Sequence, residues 1–326
     1  MQGPLLTNGL IWGYDFVAGA AIALGDPEPG DAAAAAAFRW LHFNAADRGS
    51  ERWIKAAALP SLVGDLLLSH DDHQRALVDG DWLACVLHDY QRELDDQKTA
   101  GVGTLRFAIS DRLLLTLRRH PLRCADIARH RIVTGRCPDS ANAALELLTS
   151  SVIEVMSGEL QALEAAVEHI EDELLTDSLT PDTSELVAMR RRALRLHRLL
   201  AGMGTIARRL EPDSALSPLL LPAIENFAQR VAALDQGATA VQSQLRLLRD
   251  ELELQTAQRT NRSLYVLSIL SALMLPATLV TGLFGMNTGG LPWASSSIGT
   301  VMATLMAASS ALAVYLVLRK LGFVKL

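Results

Sequence analysis

The chain has 326 residues, half of them hydrophobic, and 30 Lys and Arg against 36 Asp and Glu give a net charge of −6. That is enough chain for one soluble domain plus a membrane part, and the acidic balance argues against a nucleic-acid partner. The three cysteines, Cys85, Cys124 and Cys137, are odd in number and widely spaced, which fits reduced thiols better than a disulfide framework.

The N-terminus, Met1-Gln2-Gly3-Pro4, has neither a basic nor an apolar run, so no cleavable signal is expected. Residues 1 to about 135 read as mixed α/β. The low-complexity run Ala32–Ala37 is helix-prone and is expected to lead into a first strand. That strand, Arg39-Trp40-Leu41-His42-Phe43-Asn44, alternates polar with apolar residues as an edge strand would. Leu59–His70 reads as a helix entered at Pro60-Ser61. Trp82–Leu87 and Thr104–Ile109 are further strands after turn residues, and Leu113–Leu117 is an apolar run ended by Pro121. Alternating strands and helices predict an α/β layer, with the strand order left open.

From Ser140 onward the residues are helix formers. Between Cys137 and Met189 there is no Lys or Arg but twelve acidic residues, among them Glu154, Glu159, Glu164 and Glu168. After a break at Ser178–Asp182 the next helix, Ser184–Leu210, is basic, with Arg190, Arg191, Arg192, Arg195 and Arg198. Two antiparallel helices of complementary charge are expected, with little stability from exposed pairs. Phe227, Val231, Leu234, Ala238, Val241, Leu245, Leu248 and Leu252 then recur four and three residues apart, a heptad seam. Gly237 is a tolerable interruption. One continuous helix from about Pro218 to Phe284 is predicted, roughly 100 Å long at about 1.5 Å per residue.

From Ser263 to Leu318 there is no Asp, Glu, Lys, Arg or His. Leu264–Phe284 and Ile298–Leu318 are each long enough to cross a hydrocarbon core of about 30 Å as a helix. Arg259 and Arg262 precede this hairpin, and Arg319, Lys320 and Lys325 follow it, whereas the loop between the spans has no charge. The positive-inside rule then places both termini in the cytoplasm and the loop outside.

Asn261-Arg262, Leu275-Pro276-Ala277-Thr278 and Thr281-Gly282-Leu283-Phe284-Gly285-Met286-Asn287 together resemble the signature of the CorA family of divalent-cation transporters. The loop Thr288-Gly289-Gly290-Leu291-Pro292-Trp293 resembles the family's ZntB branch, associated with zinc, and lacks the acidic residue of typical magnesium members. The resemblance implies a homopentameric funnel in the inner membrane. Each subunit would have an α/β cytosolic domain (1–138), a helical stalk (139–262), a pore-lining membrane helix (263–285), an outer loop (286–297), a second membrane helix (298–319) and a cytosolic tail (320–326). It implies no enzyme and no prosthetic group, with membrane lipid, other copies of the chain and divalent cations as partners and Zn²⁺ as the favoured substrate. A Mg²⁺ or Co²⁺ channel is the alternative, and a membrane-anchored coiled-coil scaffold is the alternative of another class.

By the same resemblance the pore is lined by Asn261, Leu264, Leu267, Leu275 and Thr278. Helical spacing adds Ser271 to that face. Asn287 would present a ring of neutral oxygens to a hydrated cation, Gly285 would end the helix, and Met286 would pack. Pro276 would free one backbone carbonyl, which neighbouring Ser or Thr hydroxyls can take up. Of the remaining residues, His70-Asp71-Asp72-His73 is a candidate metal cluster through His70 and His73. With the carboxylates between them the two His could hold zinc, but such a site needs three or four converging ligands and the run sits at an expected helix end. Cys124, His130 and Cys137 fit no common zinc spacing.

Overall fold

The computed structural model describes residues 9–25, 27–29, 38–92, 101–175, 183–286 and 298–323. The run Ala32–Ala37 lies outside them. The chain forms two compact units, Met1–Arg246 and Leu247–Leu326, and each is described by itself.

The first unit opens with strands β1 (Leu10–Val17), β2 (Ala20–Ala23) and β3 (Phe38–Asn44). Helices α1 (Arg48–Ala56) and α2 (Ser61–Leu68) follow, then β4 (Arg75–Asp79), β5 (Trp82–Tyr90), β6 (Val102–Ile109) and β7 (Leu113–Arg118). The seven strands form one sheet in the order β2-β1-β3-β7-β6-β5-β4. Only β3 and β7 pair in parallel, which the helical crossover through α1 and α2 permits. Asp47 starts α1 by accepting the Gly49 amide, as an N-cap does.

One sheet face carries Leu41, Phe43, Ala84, Val86, Ala108, Leu115 and Leu117 and is covered by Trp53 and Ile54 of α1 and Val63, Leu66 and Leu67 of α2. The alternate residues, including Trp40, Leu83, Cys85, Leu105, Phe107 and Leu114, are buried as well. On that side β5 is packed by α3 (Arg123–Val133), α4 (Ala141–Leu175) and α5 (Thr183–Leu210). A sheet covered on both faces needs long apolar strands rather than strict alternation.

The strand starting near Arg39 is therefore interior, not an edge. Its polar residues suggested water, but Arg39 and His42 have partners inside. Arg39 donates to both carboxylate oxygens of Asp15, at 2.6 and 2.8 Å. His42 and the Trp40 indole share the Thr116 hydroxyl, at 2.8 and 3.0 Å. A buried polar group so paired no longer carries its full desolvation cost.

Helix α6 runs unbroken from Leu221 to Gly285. Its seam residues Phe227, Val231, Ala238, Val241 and Leu245 are buried, Leu248 is buried too, and Leu234 and Leu252 are half-buried. Gly237 has a packing role. A Cβ there would sit 2.7 Å from Leu160 Cδ2 of α4, closer than carbon atoms approach, so a larger residue would make the Leu160 side chain shift. The acidic and basic helices meet where Arg192 Nε of α5 donates to Glu159 of α4 at 3.0 Å. The other acidic side chains at Glu164 and Glu168 face solvent.

The second unit holds the rest of α6 and α7 (Gly299–Lys320). Both helices are long and apolar enough to cross a membrane. Each has one sheltered stripe. On α6 it comprises Ile269, Leu273, Pro276, Val280 and Phe284, with Ala272 and Ala277; on α7 it comprises Met302, Ala303, Ala307, Ser310, Val314 and Leu318. The remaining faces are exposed, including Leu264, Leu267, Leu275 and Leu279 at 55 to 68 %.

Candidate functional site

The site begins with one face of α6. Asn261, Leu264, Leu267, Ser271, Leu275 and Thr278 are all exposed within the chain. At about 100° per residue, these positions other than Asn261 centre roughly opposite the sheltered stripe of Ile269, Leu273, Pro276, Val280 and Phe284. The half of the helix that carries the candidates is thus the half that nothing among the described residues covers. Its side chains are three leucines, two hydroxyls and one carboxamide, with no charge.

The hydroxyl of Thr278 donates to the Met274 carbonyl at 2.9 Å. With its hydrogen committed to the helix, the oxygen keeps its lone pairs for a donor outside. Thr281 donates to the carbonyls of Ala277 and Thr278, each at 3.1 Å. Neither hydroxyl takes the Ala272 carbonyl that Pro276 leaves without its helical donor, contrary to the sequence expectation. Proline sits within α6 all the same, on the sheltered side.

Gly285 is the last residue of α6 and ends it without a left-handed backbone, since its φ is not among the positive ones. Met286 was expected to pack and does not do so within the chain; it is 59 % exposed. Asn287 and the loop Thr288–Trp293 lie outside the described residues, as does Lys325. Arg262, Arg319 and Lys320 are exposed.

His70 and His73 do not gather a metal site. The first helix of that region stops at Leu68, so both lie in the loop before β4. His73 Nδ1 meets Asp71 Oδ1 at 2.6 Å, and Arg75 takes the other Asp71 oxygen at 2.6 Å. The His73 amide, then its ring, holds the Asp71 carboxyl below its ordinary range. Asp72 is engaged by the buried Arg106 at 2.6 Å. Among the described residues no three His, Cys, Asp or Glu come together to hold a metal. Cys124 is buried, which pushes its thiol up, while His130 is exposed.

Sequence reading missed a set of buried polar groups on the sheet. Asp89, fully buried on β5, accepts the Cys124 amide at 2.8 Å and so caps α3, whose own N-cap Leu122 has no side-chain oxygen. Burial raises the Asp89 carboxyl to about 6. Burial, with Arg118 and Arg129 nearby, takes His42 well below its usual value. Strand position alone marks such residues as inward-pointing; their partners come from distant segments.

A seven-stranded α/β unit and two apolar helices, the first continuing a long seam helix, define the architecture of a metal-ion transporter of the two-helix type. The family model described as CorA-like Mg2+ transporter protein matches residues 35–320, and the chain belongs to that family of divalent-cation transporters. It is 28 % identical to the divalent cation transporter CmaX of Pseudomonas aeruginosa over 294 residues, 86 % of each chain. It is 24 % identical to the zinc transport protein ZntB of Cronobacter sakazakii over 263 residues, 80 % of each. The solved structure of full-length CmaX shares the fold, with a TM-score of 0.77 at 24 % identity, covering 96 % of this chain and 98 % of that one.

Proposed function

We propose that the chain assembles as a homopentamer in the inner membrane and moves divalent cations, with zinc favoured, along an axial path lined by the first membrane helix. In this reading 1–138 and 139–262 are the cytosolic domain and stalk, 263–285 and 298–319 cross the membrane, and 286–297 is the outer loop. Both termini are cytoplasmic, following the basic flanks Arg259, Arg262, Arg319 and Lys320.

The observation that carries the proposal is the placement of Leu264, Leu267, Ser271, Leu275 and Thr278 on the uncovered half of α6. A divalent cation cannot enter hydrocarbon bare, and the path must keep it hydrated or replace its waters with oxygens. One helix cannot enclose such a path; several copies around an axis can. Thr278 and Ser271 then offer oxygens, the three leucines form constrictions that gate by dewetting, and Asn287 with Gly285 and Met286 forms the outer entrance. The carboxamide ring accepts hydrogen bonds from a hydrated ion without adding charge.

Zinc is favoured because the outer loop is neutral and because ZntB relatives carry that name. A Mg²⁺ or Co²⁺ channel is the second reading, supported by the magnesium in the family description. Coupling to protons would need a carrier outside the spans, since there is no Asp, Glu, Lys, Arg or His between Ser263 and Leu318.

The test is flux into proteoliposomes with Zn²⁺, Cd²⁺, Co²⁺ and Mg²⁺, with and without a pH gradient. The proposal expects Zn²⁺ entry at least as fast as Mg²⁺ entry and its loss in Asn287→Ala. Robust Mg²⁺ flux with no Zn²⁺ flux selects the second reading. No flux of any cation leaves the scaffold.

A further inference from the structure

A cavity of about 540 Å³ in the first unit is lined by three arginines from three places in the chain, Arg131, Arg136 and Arg230, together with Ser150 and Cys137. Glu146 is the one carboxylate on its wall, and that group is already approached by Asn226 Nδ2 at 3.4 Å. The space is within the range of small-molecule sites.

Arg131 is held in place by its surroundings, and the backbone of Arg136 is set by a turn. Arg131 donates to the hydroxyls of Ser150 and Ser151 at 2.8 and 3.3 Å and is also paired with Glu154. Arg136 follows the C-terminus of α3, where Gly135 takes a φ of +102°. The Arg136 amide returns to the Arg131 carbonyl at 2.9 Å, the six-to-one bond of a Schellman turn. That turn brings the Arg136 backbone back against the last turn of α3, which carries Arg131. Arg230 enters from α6.

Glu154 neutralises Arg131, which leaves Arg136 and Arg230 against Glu146. Neither Arg136 nor Arg230 has an ion pair among the described residues. In a chain of net charge −6, Arg136 and Arg230 stand exposed on this wall, which leaves their guanidinium groups available to an anion. Planar guanidinium forks match phosphoryl oxygens two at a time, and the Ser150 hydroxyl lies on the same wall.

We propose that this cavity binds a dianionic phosphoryl group, as inorganic phosphate or as a small phosphomonoester. Arg136 and Arg230 are the direct donors, and Arg131, held by Ser150, Ser151 and Glu154, shapes the wall beside them. The site lies within the first unit and does not depend on which cation the chain moves.

Cys137 makes the site measurable. Cys85 and Cys124 are buried, whereas Cys137 is partly exposed on the cavity wall, so a maleimide modifies Cys137 first in the folded protein. The experiment follows alkylation of the full-length protein in detergent, at matched ionic strength, with inorganic phosphate, glycerol 3-phosphate or chloride. Either phosphate should slow Cys137 alkylation roughly ten-fold at ten times its Kd, chloride should not, and the double variant Arg136→Ala/Arg230→Ala should abolish the protection. Protection by both phosphates means that the phosphoryl group alone is read; protection by the ester alone means that its organic part is bound as well. Equal rates in all three solutions overturn the proposal. So does a Cys137 that reacts only after the assembly is dissociated, because a second copy then fills the cavity. Unreactive Cys85 and Cys124 report that the variant is folded, and the wild-type comparison decides the matter if it is not.

Discussion

The two units hide their apolar surface in different ways. In the first, Trp40, Leu41, Phe43, Leu105 and Leu117 are fully buried by the chain itself. In the second, Leu264, Leu267, Leu275, Leu279, Leu305 and Leu312 stand more than half exposed. Both are sequences rich in large aliphatic residues. The first solves its burial within one chain; the second does not and needs lipid or further copies to do so. An apolar face of that extent on an isolated chain marks a contact surface rather than a finished one. The same contrast holds for polar groups. Arg39, Arg106, Asp89 and His42 are buried in the first unit beside hydrogen-bond partners, while the second unit has no charge to bury between Ser263 and Leu318.

Substitutions of large apolar residues should separate the units most sharply. Trp40→Ala leaves a cavity beneath the sheet and removes the donor to Thr116, and should cost about 3–5 kcal/mol. Leu267→Ala should cost less than about 1 kcal/mol while changing cation flux. Denaturant unfolding of the full chain in detergent, followed by a first-unit signal, makes the comparison. Equal losses would mean that the exposed helix face contributes to the fold of the chain.

A smaller effect is expected at Gly237. Gly237→Leu forces a side chain into the space of Leu160 and should cost about 1–3 kcal/mol. Gly282, with nothing near its would-be Cβ, should accept alanine without loss of stability in the same unfolding experiment.

The pH response should be smaller still, because two buried groups oppose one another. His42 has a lowered folded value, so the unfolded chain takes up its proton first and stability is lost as pH falls below about 6.5. Asp89 has a folded value raised to about 6, so the native state takes up that proton first and stability is gained as pH falls through 6 toward the ordinary carboxylate value. Asp89→Asn should therefore steepen the loss of melting temperature between pH 7 and 5, and His42→Gln should flatten it. A first unit whose melting temperature responds identically in both variants would contradict this assignment.

Much of the helical architecture was legible in the sequence, because long periodic runs leave few alternatives. The helix at Pro60-Ser61, the acidic and basic pair, the seam from Phe227 and both apolar spans are where spacing put them. The strands at Trp82, Thr104 and Leu113 were legible too. The β1–β2 hairpin was not read, although Trp12, Tyr14 and Phe16 alternate with Gly13 and Asp15 and that signal was available. Helix α3 was hidden because its buried face is mostly small, with Cys124, Ala125 and Ala128 beside Ile132, and charged residues are interspersed along it. The interior place of β3 could not be read, since it depends on Asp15 and Thr116, which lie 24 and 76 residues away from Arg39 and Trp40. Of the candidate path, the face was set by spacing and resemblance. Which side of α6 stays uncovered became visible only with the helix in three dimensions.

Thiol block of flux tests the central claim most directly. In a Cys137→Ser background, Leu275→Cys places a thiol on the proposed path and Leu273→Cys places one on the sheltered stripe two residues away. A charged thiol reagent added to proteoliposomes should stop Zn²⁺ entry through the Leu275→Cys protein and leave entry through the Leu273→Cys protein nearly unchanged. Block at Leu273→Cys with free passage at Leu275→Cys would contradict the assignment of the path to this face of the helix.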